Sequence, residues 1–439
     1  MNWIQENVQV VALILFVATY GLLMLLAKYR TYIALGSALL FVLLGILPLN
    51  EVFSTIDWNV IMMIAGTMGT VYLFTESKMP ALLADIIISD MPNVKWAVVS
   101  LSLFAGIISA FVDNVATVLM VAPVALTIAK KLKISPVPSI ICIAISSNLQ
   151  GAATLVGDTT SILLGKAAGL DFFDFFFMDG RIGMFFVVQA GALATMALLL
   201  YMFRNEKAKI DMKEKTKVTN YFPTVLLVGT IVLLIAVSFI PYKSAAAPGQ
   251  FYKPEITNGL ICIALFLIGA LRELIKNKNK ELVINAVKEI DTTTILLLTG
   301  LFVVIGGVKN AGIIDRFSEM LANINGGGIF LIYTIIVWAS VFFSAFIDNI
   351  PYVATMLPVV AGISAALGID PNLLYFGLLT GATLGGNMTP IGASANIAGI
   401  GILRKEGYEV EAKTFMKYGI PFTLVAVTVG YLLIWFIWG

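Results

Sequence analysis

The chain of 439 residues contains no histidine and only two cysteines. Without imidazole groups, histidine metal ligation is excluded, and any proton chemistry must use carboxylates. Cys142 and Cys262 each lie in an apolar segment, far apart in the sequence, and are interpreted as small core residues rather than a disulfide. No basic tract with interleaved aromatic residues occurs, so no nucleic-acid partner is expected. No organic cofactor is indicated either.

Charged side chains are also scarce. They make up 12% of the chain, whereas a soluble domain carries about 25%. Hydrophobic residues reach 59%. Such a chain cannot cover a water-facing surface, so its main solvent must be lipid. The composition predicts an all-α polytopic protein of the plasma membrane, with the lipid bilayer as a partner.

Long apolar runs support this class, because a helix that crosses the hydrocarbon core needs about 20 apolar residues. Two shorter and more polar stretches, 80–92 and 311–326, are predicted to be interfacial helices. Candidate membrane segments lie at 8–27, 31–49, 58–76, 96–112, 114–129, 136–168, 182–203, 222–241, 256–271, 292–308, 328–346, 350–366, 372–402 and 418–438.

The distribution of lysine and arginine predicts the orientation, because short cytoplasmic loops are enriched in these residues. One topology places most of them on the cytoplasmic side, including Lys28, Arg30 and the basic residues of the loop 204–220. In this topology both termini are extracytoplasmic. The loop 204–220 is cytoplasmic and divides the chain near its middle.

Two pairs of segments align at a single offset of 235 residues, the difference between positions 109 and 344. SAFVDNVATVLMVAP at 109–123 matches SAFIDNIPYVATMLP at 344–358, and GAATLVGDTTS at 151–161 matches GNMTPIGASAN at 386–396. Coincidence between apolar segments is the alternative. It does not explain the Asp-Asn pair that both segments share in one register.

The repeat divides the chain into residues 1–203, a linker at 204–221 and residues 222–439. The first half crosses the membrane an odd number of times, so the second half is expected to be inverted. Inverted halves related by an axis in the membrane plane are typical of secondary transporters.

Asp113 and Asp348 are carboxylates between long apolar stretches. A charge at that depth costs about 2.5–3.5 kcal/mol by insertion scales and is usually functional. Each Asp-Asn pair can be the tip of a re-entrant hairpin or an aqueous turn between two full spans. Apolar neighbours such as Phe111 and Phe346 favour the hairpin.

Polar and small residues interrupt the runs 136–168 and 372–402. Non-helical backbone at this depth is tolerated where it lines a cavity, and broken helices at matching positions indicate a transport site. Helix packing through small residues is the alternative. Asp158 lies in the first interruption, where the repeat has Ala393, and Lys166 is a hypothetical partner for it. The predicted substrate-binding residues are Thr154, Asn387, Thr389, Ser394 and Asn396.

The motifs SAFIDNIPYVATMLPV and GATLGGNMTPIGASANIAG resemble the P-protein branch of the ion transporter superfamily. That superfamily also includes arsenite permeases, NhaD-type sodium/proton antiporters and, more distantly, the divalent anion:sodium symporters. The resemblance implies an elevator transporter, usually a homodimer. It implies scaffold helices at 1–92 and 222–326, and a transport domain formed by the hairpins and broken helices of 93–203 and 327–439.

The resemblance also implies two sites for a coupling cation, Na⁺ or H⁺. The first would comprise Asp113, Asn114, Gly157 and Asp158. The second would comprise Asp348, Asn349 and Gly392. In the dicarboxylate carriers the tip motif is Ser-Asn-Thr, and here an aspartate stands in place of the serine in both halves.

The aspartates favour a secondary transporter that exchanges a proton or sodium ion for a cation or a small neutral oxyacid, by antiport or efflux. Sodium-coupled uptake of a carboxylate is the alternative. A passive channel and an intramembrane protease are further alternatives. The protease has no supporting catalytic motif, so the protein is expected not to be an enzyme.

Overall fold

A computed structural model describes residues 7–209, 215–218, 220–242, 250–313 and 328–439. The described chain is almost entirely helical, and seven of its helical segments are long and apolar enough to cross a membrane. The predicted class, an all-helical polytopic membrane protein, is confirmed. Most of the predicted interfacial stretch 311–326 lies outside the described residues.

The interruption predicted in the first half is observed at 152–158. A short antiparallel ribbon, β1 Phe177–Met178 with β2 Arg181–Ile182, precedes the last helix of this half. The helices are α1 Val8–Leu25, α2 Arg30–Leu43, α3 Val52–Thr55, α4 Trp58–Glu76, α5 Met79–Ser89, α6 Val94–Ser109, α7 Asn114–Leu132, α8 Val137–Gly151, α9 Thr159–Ala168 and α10 Met184–Met202.

The second half has a comparable helix order. Its helices are α11 Phe222–Ser238, α12 Thr257–Ile275, α13 Lys280–Lys288, α14 Thr292–Asn310, α15 Gly328–Ser344, α16 Asn349–Leu367, α17 Asn372–Gly385, α18 Ser394–Lys405 and α19 Ala412–Trp438. The segment 80–92, predicted to be an interfacial helix, contains most of α5.

Aspartates begin helices at matching positions of the two halves. Asp57 caps α4 by accepting the Val60 N–H, and Asp291 caps α14 by accepting the Thr294 N–H. An N-cap carboxylate accepts one of the free N–H groups at the start of a helix and interacts favourably with its dipole. These two residues therefore fix where α4 and α14 start.

Two sets of helices pack mainly among themselves. In one set, α6 packs on α8, α15 packs on α17, and α10 packs on α19. In the other set, α4 packs on α12, and α2 packs on α14 and α1. Small residues permit these contacts, as at Gly66, which lies against the backbone of Cys262.

An ion pair and hydrogen bonds connect the segment after α9 with α11 and the segment that follows it. The Lys253 ammonium is buried and donates to Asp171 at 2.6 Å and to the Val237 carbonyl at 2.8 Å. The Tyr242 hydroxyl donates to the same carboxylate. Burial and the Asp171 charge raise the pKa of Tyr242, so its phenol stays protonated and remains a donor.

Candidate functional site

Each hairpin tip ends in an aspartate that caps the following helix. Asp113 accepts the N–H groups of Val115 at 3.0 Å and Ala116 at 3.1 Å with one carboxylate oxygen. Asp348 accepts the N–H of Ile350 at 3.2 Å. The capping fixes both carboxylates at the turn between the two helices of each hairpin.

The tips contact the interruptions of the broken helices in the same way in both halves. The Thr154 hydroxyl donates to the Ala110 carbonyl, and the Thr389 hydroxyl donates to the Ala345 carbonyl. Both pairs are related by the offset of 235 residues. Each hairpin tip therefore contacts its neighbouring broken helix at the interruption.

A second pair of matching bonds closes each interruption. The Ser161 hydroxyl donates to the Gly151 carbonyl at 3.1 Å, and the Asn396 amide donates to the Gly386 carbonyl at 3.0 Å. These bonds join the start of the second helix piece to the end of the first. They satisfy carbonyl oxygens that the interruption leaves without helical partners.

At Gly157 and Gly392 the interruptions leave no space for a side chain. A Cβ on Gly157 would lie 2.7 Å from the Gly151 carbonyl oxygen and 3.0 Å from that of Ala110. A Cβ on Gly392 would lie 2.6 Å from the Gly386 oxygen and 2.9 Å from that of Ala345. Both loops that are predicted to bind a cation therefore lie where the hairpin tip and the broken helix leave no room for a side chain.

Both tips, the first interruption and the start of α18 border one cavity of about 410 Å³, and the second tip does so through Asn349 rather than Asp348. Of the predicted site residues, it brings together Asp113, Asn114, Asp158, Asn349 and Ser394. Segments that are distant in the sequence thus share one space.

The cavity is acidic. Besides Asp113 and Asp158 it is lined by Glu76 at the end of α4, and by Glu289 and Asp291 at the start of α14. In the described part of the chain, no lysine or arginine lines it. A cleft lined by negative charges attracts cations and repels anions.

Asp158 links the first broken helix to the second hairpin. Its carboxylate accepts the Thr160 hydroxyl at 2.8 Å and the Asn349 amide at 3.3 Å. The resemblance groups Asp158 with the first tip, whereas its bonds reach the second. The hypothetical pair with Lys166 is wrong, because the Lys166 ammonium lies 3.4 Å from Asp57 and 2.9 Å from Glu255.

The other predicted substrate-binding residues are buried and engaged with protein atoms. Thr154 and Thr389 bind the tips, and Asn387 donates to the Ile145 carbonyl at 2.9 Å. Asn396 donates to the Gly386 and Thr389 carbonyls, while its amide oxygen is buried without a described hydrogen-bond partner. In this conformation Ser394 alone of the five borders the cavity.

Sequence reasoning missed Asn148, which lies at the crossing of α8 and α17. Its amide oxygen accepts from Asn114 at 3.0 Å, and its amide nitrogen donates to the Thr383 carbonyl at 2.7 Å and to Asn387 at 3.1 Å. The side chain is fully buried. The polar run Ser146–Gln150 inside an otherwise apolar helix was the available signal.

Replacement of Asn148 by leucine is expected to reduce transport to a few per cent and to lower the unfolding temperature. The change leaves three buried polar partners unsatisfied, each at a cost of about 1–3 kcal/mol. Thermal unfolding in detergent and flux in proteoliposomes measure both effects. Asn372→Leu, at the partly exposed start of α17, is the control. Unchanged melting of Asn148→Leu would contradict the network.

No three carboxylate or thiolate groups among the described residues lie close enough together to hold a metal ion.

Apolar helices, with two hairpin tips and two broken helices around one acidic cavity, define a polytopic membrane transporter rather than an enzyme. Comparison of the sequence with known families supports this class. The chain belongs to the CitMHS family, described as citrate transporters, whose family model matches residues 11–381.

Curated relatives cover nearly the whole chain. An uncharacterized transporter of Mycobacterium tuberculosis is 29% identical over an alignment of 439 positions, which covers 97% of this chain and 98% of that protein. The P protein of Homo sapiens is 25% identical over an alignment of 517 positions with gaps, which covers 98% of this chain and 60% of that longer protein. The predicted relation to the P-protein branch is confirmed.

Two solved transporters share the fold. The YdaH transporter of Alcanivorax borkumensis superposes with a TM-score of 0.57 at 14% identity, covering 88% of this chain and 86% of that one. MtrF of Neisseria gonorrhoeae gives 0.56 at 14% identity, covering 88% and 83%. At this identity the likeness concerns the fold alone.

Proposed function

We propose that this protein is a secondary transporter that couples the movement of a small ion or oxyacid to H⁺ or Na⁺, by antiport or efflux. The observation that carries the proposal is the cavity that both hairpin tips border and that five carboxylates line, one of them Asp113 of the first tip. At an effective dielectric constant of about 20, two unit charges 4 Å apart interact by about 4 kcal/mol. A cation or a neutral solute enters such a cavity more easily than a free polyanion.

The family description favours a second candidate, the transport of a carboxylate such as citrate. The same carboxylates would repel free citrate. Citrate would therefore enter only with cations that neutralise it or the cavity. This candidate corresponds to the cation-coupled symport that the sequence leaves open.

Matching contacts support the proposal of an inverted repeat with two re-entrant hairpins. The Thr154 and Thr389 bonds, the Ser161 and Asn396 bonds and the two close glycine contacts all recur at one offset. A re-entrant hairpin also explains why each tip meets an interrupted helix rather than a loop at the membrane surface. A homodimer is proposed on the resemblance alone.

An elevator motion is supported by the two helix sets. Hairpins, broken helices, α10 and α19 would move together as the transport domain, against a scaffold of α1, α2, α4, α11, α12 and α14. The cavity lies beside the C-terminal end of α4 and the N-terminal end of α14. The distribution of basic residues predicts that both ends are cytoplasmic, so this conformation is proposed to be open to the cytoplasm.

A flux assay on purified protein in liposomes tests the function. Arsenite, ²²Na⁺ and citrate, the last with and without a divalent cation, are each offered under imposed pH and sodium gradients. Exchange of a cation or of arsenite driven by H⁺ or Na⁺ supports antiport. Uptake of citrate only with a cation supports the second candidate. Currents that do not saturate and are not coupled to a second ion would reject both and indicate a channel.

A further inference from the structure

Asp113 and Asp348 occupy the same motif position but have different charged neighbours. Asp348 forms an ion pair with Arg30, with 2.9 Å between Nη1 and the carboxylate oxygen. Asp113 forms no ion pair with any described residue and lies within electrostatic range of Asp291, a like charge. The two tips therefore have the same sequence motif but different charged neighbours.

Arg30 belongs to a different part of the fold from the tip that it binds. It begins α2, whose main neighbours are α1 and α14, whereas α15 of the second hairpin packs on α17. The ion pair therefore crosses between the two helix sets. Any relative displacement of these sets by several ångströms must break it.

The pair is protected from solvent. The Arg30 and Asp348 side chains are 19% and 17% exposed. Among the described residues, Arg30 donates a side-chain hydrogen bond to Asp348. The Nε of Arg30 is buried and has no hydrogen-bond partner there. Removing one member of a shielded pair leaves the other charge uncompensated, which is far more costly than at a surface.

Asp348 is also surrounded by groups that do not replace this counter-charge. Its other carboxylate oxygen accepts the Ile350 N–H, and Asp158 is a second acidic side chain within electrostatic range. When the tip leaves Arg30, the remaining donor that the described residues give the Asp348 carboxylate is the neutral Ile350 N–H. A cation or proton is then required at this tip.

We propose that Arg30 is a built-in counter-cation, which takes the place of the coupling ion at Asp348 in the conformation described here. Formation of the Arg30–Asp348 pair and discharge of the coupling ion from the second tip are then one event. The inference rests on the proposed ion-coupled function and assigns to Arg30 the step that releases the ion. Arg30 acts through Asp348, so it is a positioning residue for this step.

The test measures how tightly the cavity holds the coupling ion when Arg30 is altered. Leu119 lines the cavity and is exposed, whereas Cys142 and Cys262 are both buried. Leu119→Cys therefore introduces a single reactive thiol for a polar maleimide. The labelling rate is recorded against Na⁺ concentration and against proton concentration, and the half-maximal concentration reports the ion affinity.

Arg30→Gln is expected to lower the half-maximal ion concentration at least tenfold, because the ion no longer competes with the guanidinium. Arg30→Lys keeps the charge with a shorter reach and should shift it in the same direction by a smaller factor. Lys28→Gln, at an exposed position two residues before Arg30, should leave the half-maximal concentration unchanged. In Arg30→Gln combined with Asp348→Asn, the gain in affinity should disappear.

The results separate this inference from the function on which it rests. If labelling depends on the ion but Arg30→Gln and Arg30→Lys, both folded by size-exclusion chromatography, leave the half-maximal concentration within twofold, Arg30 has no such role and the coupling proposal stands. If the unaltered protein shows no dependence on either ion, both proposals are overturned. A raised half-maximal concentration in Arg30→Gln would mean that Arg30 assists ion binding, which also overturns the inference.

Discussion

Asp113→Asn is expected to abolish ion-coupled exchange, with a loss of at least about 100-fold, equivalent to about 2.8 kcal/mol. Asparagine is as good an N-cap as aspartate. It keeps an oxygen for the N–H groups of Val115 and Ala116 while it removes the charge. The substitution therefore isolates the carboxylate as a holder of a cation or proton. Asp348→Asn should have a comparable effect at the second tip.

The measurement is exchange in proteoliposomes against imposed pH and sodium gradients, with circular dichroism and thermal unfolding as checks of folding. Asp370→Asn is the matched control, because Asp370 is exposed at the turn before α17. Full exchange in both Asp113→Asn and Asp348→Asn would refute a coupling role for the hairpin tips.

Gly392→Ala is expected to remove transport almost completely and to lower the unfolding temperature. The added Cβ would meet carbonyl oxygens of Gly386 and Ala345 at 2.6 and 2.9 Å, and these are backbone atoms. Overpacking against groups that can move costs about 1–3 kcal/mol. Here the tip of the second hairpin must separate from the broken helix, so we expect a cost at or above that range.

Gly401→Ala is the control for this prediction. Gly401 lies in α18, the helix that follows Gly392. A Cβ on Gly401 would have no heavy atom within 4 Å. Alanine also favours a helix more than glycine does. Gly401→Ala should therefore transport normally and melt at the same or a higher temperature. Equal behaviour of the two alanine variants would show that the contact of tip and broken helix is not essential.

Much of the fold could be predicted from local patterns. Apolar length predicted the helices. The Gly, Thr, Ser, Asn and Pro residues of 151–161 and 385–399 predicted interruptions, which are observed at 152–158 and 386–393. The matched Asp-Asn pairs predicted two equivalent turns. These signals are local, because the length of a helix and the position of its breaks depend on the residues of that same segment.

The predicted substrate residues illustrate the limit of such patterns. Thr154, Thr389 and Asn396 have the hydrogen-bonding capacity that drew attention to them. In the fold much of that capacity serves backbone carbonyls of the tips and interruptions. A sequence shows that a polar group is present in an apolar segment, but not whether a neighbouring carbonyl or a solute satisfies it.

By itself the sequence determined the membrane class, the helix order and the repeated acidic turns, because hydrophobic length and residue identity act locally. Only the tertiary structure decided which charges meet. It placed Arg30 against Asp348, 318 positions away, Lys166 against Asp57 and Glu255 rather than Asp158, and Asn148 between the two halves. Electrostatic and hydrogen-bond energies depend on distances of a few ångströms, and those distances are set by how helices pack, not by their spacing along the chain.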